Sequence, residues 1–344
     1  MKFNTVQILV GLLLLIAPAV VPAPAGMPDM AWHASGLTSA MALWGITEAL
    51  PLPATALLPV AVAPIMGLTE FSDAARSYSD PLIFLFLGGF LIAKAIEKSG
   101  LHRRLAGVVL RQAGSNSHRI LGSIMLCTAF LSLWISNTAS AMVVAPIAAA
   151  VAGSQDDTPR FGTTLMLGVA FSATIGGMGS LIGTPPNAIF AAYVRTAYGV
   201  NVGFAQWAAI GIPIALVLLL VTWLALTKVS PGLPSTALRL TYGPPGAAIQ
   251  EAERRVAVIA GLTALAWISR PLIEGFLPMV ALSDAGIAMI AALALFMISD
   301  GKDGRLLDWD AAASLRWDVL ILFGGGLALA SVIQHSGLAD WIGG

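Results

Sequence analysis

The chain has 344 residues, of which only 10% are Asp, Glu, Lys or Arg and 57% are hydrophobic, and its formal net charge is zero. Soluble proteins carry about 25% charged residues, so this composition excludes an ordinary cytosolic globule, and the lack of a strongly basic balance excludes a nucleic-acid partner. The mean hydropathy is +0.85, and apolar runs of roughly 20 residues, long enough to cross a bilayer, recur along the chain. These features predict an all-α polytopic membrane protein.

The amino-terminal run from Val6 to Val21 is interpreted as a first transmembrane helix, followed by an outer loop, so that residues 1–35 form the first segment. The alternative is a cleaved signal peptide, because Ala23-Pro24-Ala25 offers the small residues that a cleavage site needs. Further spans are predicted at residues 36–50, 52–68, 81–98, 204–228, 252–272, 281–299 and 318–335.

Two apolar stretches do not fit a simple span. Residues 119–153 are interrupted by Ser136-Asn137-Thr138, which leaves two segments too short to cross the membrane comfortably and predicts a re-entrant hairpin. Residues 161–197 are too long for one span and contain several glycines and Pro185-Pro186, which predict a helix that unwinds within the membrane. Irregular backbone at that depth survives only inside protein or beside a wet cavity, so both interruptions are candidate parts of a binding site.

The distribution of Lys and Arg predicts the orientation. If the amino terminus is cytoplasmic, the outer side keeps only Arg76, Arg195 and Arg270, and the basic residues of the other loops and helix ends lie on the cytoplasmic side. This count predicts a multi-pass protein of the inner (cytoplasmic) membrane. It also requires the 119–153 hairpin to enter and leave on the cytoplasmic side.

An internal repeat is visible in the sequence. Gly88-Gly89 followed by Ser99-Gly100-Leu101 recurs, at the same spacing, as Gly325-Gly326 followed by Ser336-Gly337-Leu338. The basic flank of the first copy is lost in the second, as expected if the two copies cross the membrane in opposite directions. Inverted repeats of this kind are typical of secondary transporters.

The repeat defines the domain organisation. We expect a first inverted repeat at residues 36–228, a cytoplasmic linker at 229–251 and a partial second repeat at 252–344. A second hairpin at the same offset would fall beyond Gly344. The chain is therefore expected to lack the C-terminal part of its second repeat.

The two interruptions favour binding of an anion together with a small cation. A helix is expected to begin just after Ser136-Asn137-Thr138, and another after Thr184, whose side chain is expected to cap it. Each helix N-terminus acts like about half a positive charge, so two that converge can hold an anion without a basic side chain. From residue 120 to residue 192 the only charged side chains are Asp156, Asp157 and Arg160. A bound dianion would thus be neutralised by co-bound sodium, which neutral oxygens can ligate, and the protein would be a symporter.

These residues resemble those of the divalent-anion/sodium symporter family, whose members carry C4-dicarboxylates, citrate or sulfate. The resemblance rests on Ser136-Asn137-Thr138, on Ile182-Gly183-Thr184-Pro185-Pro186-Asn187, on Trp44-Gly45-Ile46-Thr47-Glu48-Ala49-Leu50-Pro51 and on the two Gly-Gly helices. It implies a homodimer that works by an elevator motion of the hairpin-bearing domain.

The resemblance also implies roles for particular residues. Ser132, Ser136, Asn137 and Gly183 are implied as sodium ligands, and Asn137, Thr138 and Thr184 as contacts to a substrate carboxylate. Glu48 is interpreted as structural, with a proton relay as the alternative.

The leading hypothesis is a secondary active transporter for sodium-coupled uptake of a small divalent organic anion, a C4-dicarboxylate such as succinate, malate or fumarate. The alternatives within transport are a carrier of sulfate or another inorganic anion, an anion exchanger, and an inactive truncated remnant. An intramembrane hydrolase is disfavoured, because the chain contains neither an H-E-x-x-H motif nor a pair of intramembrane aspartates.

Overall fold

The computed structural model describes residues 5–112, 116–153, 159–229, 248–276 and 282–343. Within these ranges the regular structure is helical, apart from one isolated antiparallel bridge between Ser299 and Arg305, which confirms the all-α prediction. Residues 230–247 of the predicted linker 229–251 lie outside the described residues, as do Asp156 and Asp157.

The helices in chain order are α1 (Thr5–Val20), α2 (Asp29–Thr47), α3 (Leu52–Thr55), α4 (Leu58–Val62), α5 (Phe71–Arg76), α6 (Pro81–Ser99), α7 (Leu101–Gln112), α8 (Ser117–Ser132), α9 (Asn137–Gly153), α10 (Pro159–Met178), α11 (Pro185–Tyr198), α12 (Phe204–Val229), α13 (Glu251–Phe276), α14 (Asp284–Met297), α15 (Trp309–Ala313), α16 (Trp317–His335) and α17 (Leu338–Gly343). They form two compact units, one of Met1–Phe84 with Arg316–Gly344 and one of Leu85–Leu315.

Several helices have the length and apolar composition that a membrane span needs. In the described part of the chain, five stretches meet both conditions: Phe71–Ser99, Phe161–Met178, Phe204–Lys228, Glu251–Glu274 and Trp317–His335. Shorter apolar helices occur at Thr5–Val20, Leu52–Val62, Asn137–Ala152 and Asp284–Met297. The protein is therefore a multi-pass membrane protein.

In the first unit, α1 packs closely against α2. The Trp44 indole Nε1 donates a hydrogen bond to the carbonyl of Gln7 at 3.0 Å, and a Cβ on Gly11 would collide with the same indole. Gly36 makes the matching approach from α2, because a Cβ there would lie 2.6 Å from Pro18 Cγ. Small residues at these positions let the two backbones come together, as is common between membrane helices.

The predicted span at residues 52–68 is wrong as a continuous helix. The chain forms the two short helices α3 and α4 instead. The prolines at positions 51, 53, 59 and 64 lack the backbone N–H that a helix interior requires, so regular hydrogen bonding cannot propagate through this run. Just before it, exposed Glu48 follows the last residue of α2 as its C-cap and adopts a left-handed conformation with φ of 49°.

The second unit is built around α8, α9 and α10. Its core contains the fully buried residues Ile120, Leu121, Ile124, Val144 and Leu165. In the same unit, Trp267 of α13 is fully buried, stacks on Phe204 with ring centroids 4.4 Å apart, and donates to the carbonyl of Asp284 at 3.0 Å. The Asp284 carboxylate in turn pairs with Arg270 at 2.8 Å, so the charges near this end of α13 compensate each other.

The Ser-Gly-Leu turns of the internal repeat have the same local structure. Gly100 and Gly337 each follow a long helix with positive φ, 80° and 76°, a conformation that glycine adopts without a steric penalty. Ser99 Oγ donates to Ile96 O at 3.2 Å and accepts from Leu101 N at 3.4 Å. Ser336 Oγ makes the equivalent bonds to Ile333 O and from Leu338 N at the same distances. The opposite membrane orientation of the two copies stays a prediction.

Candidate functional site

Both predicted interruptions are present in the second unit. The first separates α8, which ends at Ser132, from α9, which begins at Asn137. The second separates α10, which ends at Met178, from α11, which begins at Pro185. In each case a few residues leave the helical hydrogen-bond pattern between two apolar helices.

The two interruptions touch each other. Ser180 in the second interruption donates its hydroxyl to the carbonyl of Leu133 in the first at 2.6 Å. A Cβ on Gly183 would lie 2.8 Å from the carbonyl oxygen of Ser132 and 2.5 Å from that of Gly177. Because both neighbours are backbone atoms, only glycine permits this approach without displacing the chain. The irregular backbone is thus packed within protein, which a lipid-embedded chain requires.

A cluster of neutral oxygens lies where the interruptions meet. The Ser132 hydroxyl oxygen lies 2.7 Å from Asn137 Oδ1 and 2.6 Å from the carbonyl oxygen of Ala173. A serine hydroxyl has one proton and can donate to only one of these acceptors. The three oxygens can therefore accept more hydrogen bonds than the single serine proton supplies. Neutral oxygens of this kind are hard ligands, which suit a small cation.

Gly177 sets the position of the Asn137 side chain. A Cβ on Gly177 would collide with Asn137 Oδ1, so the bare glycine of α10 makes room for the amide of α9. The end of α10 also has a partner on α12, because the Trp207 indole donates to the carbonyl of Met178 at 3.0 Å. These contacts fix the backbone on both sides of the second interruption.

The N-terminus of α9 presents unpaired backbone donors. Ser136 Oγ accepts from Ala139 N at 3.2 Å, and the Ser136 carbonyl accepts from Ser140 N at 2.9 Å. Within the described ranges, the N–H groups of Asn137 and Thr138 have no protein acceptor. Two free donors at the positive end of a 17-residue helix form a suitable contact for a carboxylate.

The N-terminus of α11 is different, and one prediction about it is wrong. Thr184 occupies the N-cap position with extended backbone, but its side chain makes no capping hydrogen bond. Pro185 and Pro186 have no N–H to donate, and the N–H of Asn187 bonds to the Thr184 carbonyl at 3.2 Å. The N-terminus of α11 can therefore offer an anion its helix dipole and the Thr184 hydroxyl, but few backbone N–H donors.

The structure brings some of the sequence-predicted residues together and leaves others apart. Ser132, Asn137 and Gly183 lie in contact around the oxygen cluster. Ser136 and Thr138 are exposed at the start of α9, and Thr184 is half-buried at the start of α11. No hydrogen bond among the described residues joins these last three side chains to the cluster.

Sequence reasoning assigned no role to two residues that hold the second interruption in place. The buried Asn187 amide donates to the carbonyls of Gly177 at 2.8 Å and Ser180 at 2.7 Å. It thereby gives the Gly177 carbonyl, near the end of α10, a donor, and it gives the Ser180 carbonyl a second donor beside Gly183 N at 3.3 Å. The Ser180 hydroxyl ties the same segment to Leu133, as described above. A polar side chain just inside an apolar helix, next to a proline pair, was the available signal for Asn187.

A polytopic helical fold with two touching interruptions of this kind is typical of secondary membrane transporters. Residues 41–344 match the family model described as citrate transporter. The chain is 35% identical, over 98% of its length and 69% of the relative, to the sodium-dependent dicarboxylate transporter SdcS of Staphylococcus saprophyticus. It is 36% identical, with the same coverage, to the protein of that name in Staphylococcus aureus strain USA300. The chain belongs to this transporter family, which confirms the resemblance to divalent-anion/sodium symporters.

Proposed function

We propose that the protein takes up a divalent organic anion, a C4-dicarboxylate, together with sodium. The observation that carries the proposal is the contact between the two interruptions, which places the oxygen cluster beside the free donors of α9. The names of the relatives, sodium-dependent dicarboxylate transporters, support the same pair of solutes.

Sodium is assigned to the oxygens between the interruptions, with Ser132, Ser136, Asn137 and Gly183 as its ligands. The Ser132 hydroxyl and the Asn137 amide oxygen already lie 2.7 Å apart, so little rearrangement is needed for both to face one ion. The carbonyl of Gly183 and the hydroxyl of Ser136 complete the assignment. All four supply neutral oxygen atoms, which are hard ligands for an alkali cation.

The substrate carboxylate is assigned to the rim of this cluster. We assign to it the N–H groups of Asn137 and Thr138 and the Thr138 hydroxyl from α9, and the Thr184 hydroxyl from α11. Because Pro185 and Pro186 remove donors from α11, hydrogen bonding to the carboxylate falls mainly on α9, and α11 contributes its dipole.

The coupling between sodium binding and anion binding follows from electrostatics. A doubly negative guest held by neutral groups in a partly dry site lacks a counter-ion, and Coulomb attraction to a cation a few ångströms away is worth several kcal/mol at an intermediate dielectric. Sodium therefore raises the affinity for the anion, and by thermodynamic reciprocity the anion raises the affinity for sodium. We place the protein in the inner membrane as a homodimer that exposes its binding site alternately by an elevator motion.

The test is uptake of labelled succinate by proteoliposomes with and without an inward sodium gradient. We expect accumulation only with the gradient, and inhibition by malate and fumarate. Sodium-independent exchange of internal for external succinate would favour an exchanger. Accumulation of labelled sulfate but not of succinate would favour an inorganic-anion carrier, and the absence of all three activities would favour an inactive chain.

The Asn137→Ala variant tests the assignment of the site. Removing the amide takes one oxygen from the sodium cluster, so sodium-dependent succinate uptake should fall at least about tenfold, the order expected for losing a hydrogen bond or ligand to a charged group. The matched control is Asn201→Ala, the same change in an exposed loop residue. Equal uptake by both variants would contradict the assignment.

A further inference from the structure

A cavity of the second unit lies between α8 and α12, and no residue of the two interruptions lines it. Its volume is about 380 Å³, and residues of both helices line it, among them Arg119, Gly122, Leu126, Leu216, Leu220 and Trp223. That volume lies within the usual range for pockets that hold small molecules.

The groove is apolar along most of its length. Leu126 of α8 and Leu216 and Leu220 of α12 are 54%, 53% and 55% exposed. Only 17% of the most apolar stretch of α12 is buried inside the protein. In a membrane, such a surface faces hydrocarbon, so lipid chains are the natural contents of a groove opening onto it.

One end of the groove is polar and positively charged. The Trp223 indole donates to the carbonyl of His118 at 3.0 Å, and Gly122 allows this approach, because a Cβ there would already lie 3.3 Å from the indole nitrogen. The exposed side chains of His118 and Arg119 project beside this junction at the start of α8. Within the described ranges Arg119 has no ion-pair partner.

The height of this polar end fits the membrane interface. Tryptophan side chains concentrate at the level of the lipid headgroups, and Lys228, the last charged residue of α12, follows Trp223 by just over one helical turn. An arginine at that level is well placed to meet lipid phosphate, which it can bind through two parallel hydrogen bonds. Basic pockets between membrane helices are known to bind anionic headgroups.

We propose that the groove between α8 and α12 is a binding site for an anionic glycerophospholipid, with its phosphate on Arg119 and His118 and an acyl chain along Leu126, Leu216 and Leu220. In the orientation proposed above, the lipid belongs to the cytoplasmic leaflet. Because α8 ends at Ser132, the lipid contacts the helix that leads into the first interruption. The proposal does not depend on the transported solute.

Native mass spectrometry of the detergent-purified chain with equal amounts of phosphatidylglycerol and phosphatidylcholine tests the headgroup contact. We expect wild type to retain phosphatidylglycerol preferentially, Arg119→Gln to reduce that preference about tenfold, and Arg119→Lys to keep part of it. The control is Arg254→Gln, at an arginine whose side chain is 64% exposed and lies outside the groove. Equal retention of both lipids by wild type, or an equal loss in the control, would overturn the proposal.

A second measurement on the wild-type sequence avoids any effect of substitution on folding. Phosphatidylglycerol that carries a photoactivatable diazirine in its acyl chain should label peptides of α8 and α12 around Leu126 and Leu220. Labelling confined to other helices would contradict the site. If Leu126→Cys, in a Cys127→Ala background, formed a disulfide between two chains in the membrane, a second copy of the protein would occupy the groove and the lipid assignment would be wrong.

Discussion

Single glycines determine whether the two interruptions can touch, and Gly183 is the clearest case. Its missing side chain is what allows the second interruption to lie against the carbonyls of Ser132 and Gly177. A polar site in a membrane helix is usually described by its oxygen ligands. Here the absence of a Cβ is as much a part of the site as the serine and asparagine beside it.

We expect Gly183→Ala to separate the interruptions and to abolish sodium-dependent uptake. The added methyl would lie 2.5 Å from one backbone oxygen and 2.8 Å from another, so the chain must move, at a cost of about 1–3 kcal/mol for overpacking. Uptake in proteoliposomes and thermal unfolding in detergent measure the two effects.

The matched control is Gly261→Ala in α13, where a Cβ would meet nothing within 4 Å. That change should leave uptake intact and not lower the melting temperature, because alanine favours a helix over glycine. A Gly183→Ala protein with normal uptake would show that the close approach is unnecessary.

A second residue-scale prediction concerns pH and the loop after α14. Lys98 forms a 2.6 Å ion pair with Asp308, and this hydrogen bond, together with the N–H of Ala311, holds the pKa of the Asp308 carboxyl below its ordinary value. A carboxyl whose pKa is lowered by folding stabilises the protein above its unfolded pKa, near 4, and loses that effect as the pH falls through the folded value.

Asp308→Asn should therefore lower the melting temperature slightly at pH 7, and its effect should shrink as the pH falls below about 4 and vanish only below the lowered pKa of the folded carboxyl, where the wild-type side chain is protonated too. Thermal unfolding in detergent from pH 7 to pH 3 measures the difference. Asp310→Asn, two positions further along, is the control for loss of one negative charge. A difference between wild type and Asp308→Asn that stayed constant with pH would contradict the role of the ion pair.

At the scale of elements, the second interruption persists because its backbone polar groups have found partners. Asn187, on the first turn of α11, donates to the carbonyl of Gly177 at the end of α10 and to that of Ser180 just beyond it, and Trp207 of α12 donates to the carbonyl of Met178. An unwound segment inside a membrane protein is stable when its exposed carbonyls are paired in this way. The unwound segment is thus a stable, hydrogen-bonded part of the fold.

We expect Asn187→Ala to destabilise this segment, because the buried Gly177 carbonyl loses its donor, at a cost of about 1–3 kcal/mol for a group left unsatisfied, and the Ser180 carbonyl keeps only its 3.3 Å bond from Gly183 N. Amide hydrogen exchange should increase at residues 178–187 and remain unchanged in α13. The Asn201→Ala control should exchange like wild type. Unchanged exchange in both variants would mean that the amide is dispensable.

The helices and the interruptions between them show which features can be predicted from the sequence and which cannot. Glycines, prolines and a polar tripeptide inside apolar runs were enough to predict both interruptions, since each residue type disfavours a continuous helix locally. The proline-rich run at residues 52–68 carried the same kind of signal, but its hydrophobicity outweighed it in the prediction. The pairing of Asn187 with Gly177, and of Ser180 with Leu133, depends on which helices meet in space. Local pattern contains no information on that.

At the scale of the whole molecule, the positive-inside rule provides the prediction of orientation. The apolar span Phe204–Lys228 should have its amino-terminal end outside and its carboxyl-terminal end in the cytoplasm, because basic residues collect beyond the latter. Family membership and apolar helices define a multi-pass membrane transporter, and the side on which each loop lies is open to direct measurement.

We expect Asn201→Cys, in a Cys127→Ala background, to react with a membrane-impermeant maleimide added to intact cells. Lys302→Cys, beyond α14, should react only after the cells are permeabilised. Both positions are exposed, so exposure does not explain a difference between them. The reverse labelling pattern would invert the proposed topology, and equal labelling would rule out a single orientation.

The Ser-Gly-Leu turns that follow α6 and α16 provide a comparison of two equivalent turns within one chain. Each turn has the same two serine hydrogen bonds at the same lengths and the same left-handed glycine, so the chemistry removed by Ser99→Ala and by Ser336→Ala is identical. Any difference between the effects of the two substitutions must therefore come from the surroundings of each turn, and the pair of variants measures how strongly those surroundings differ.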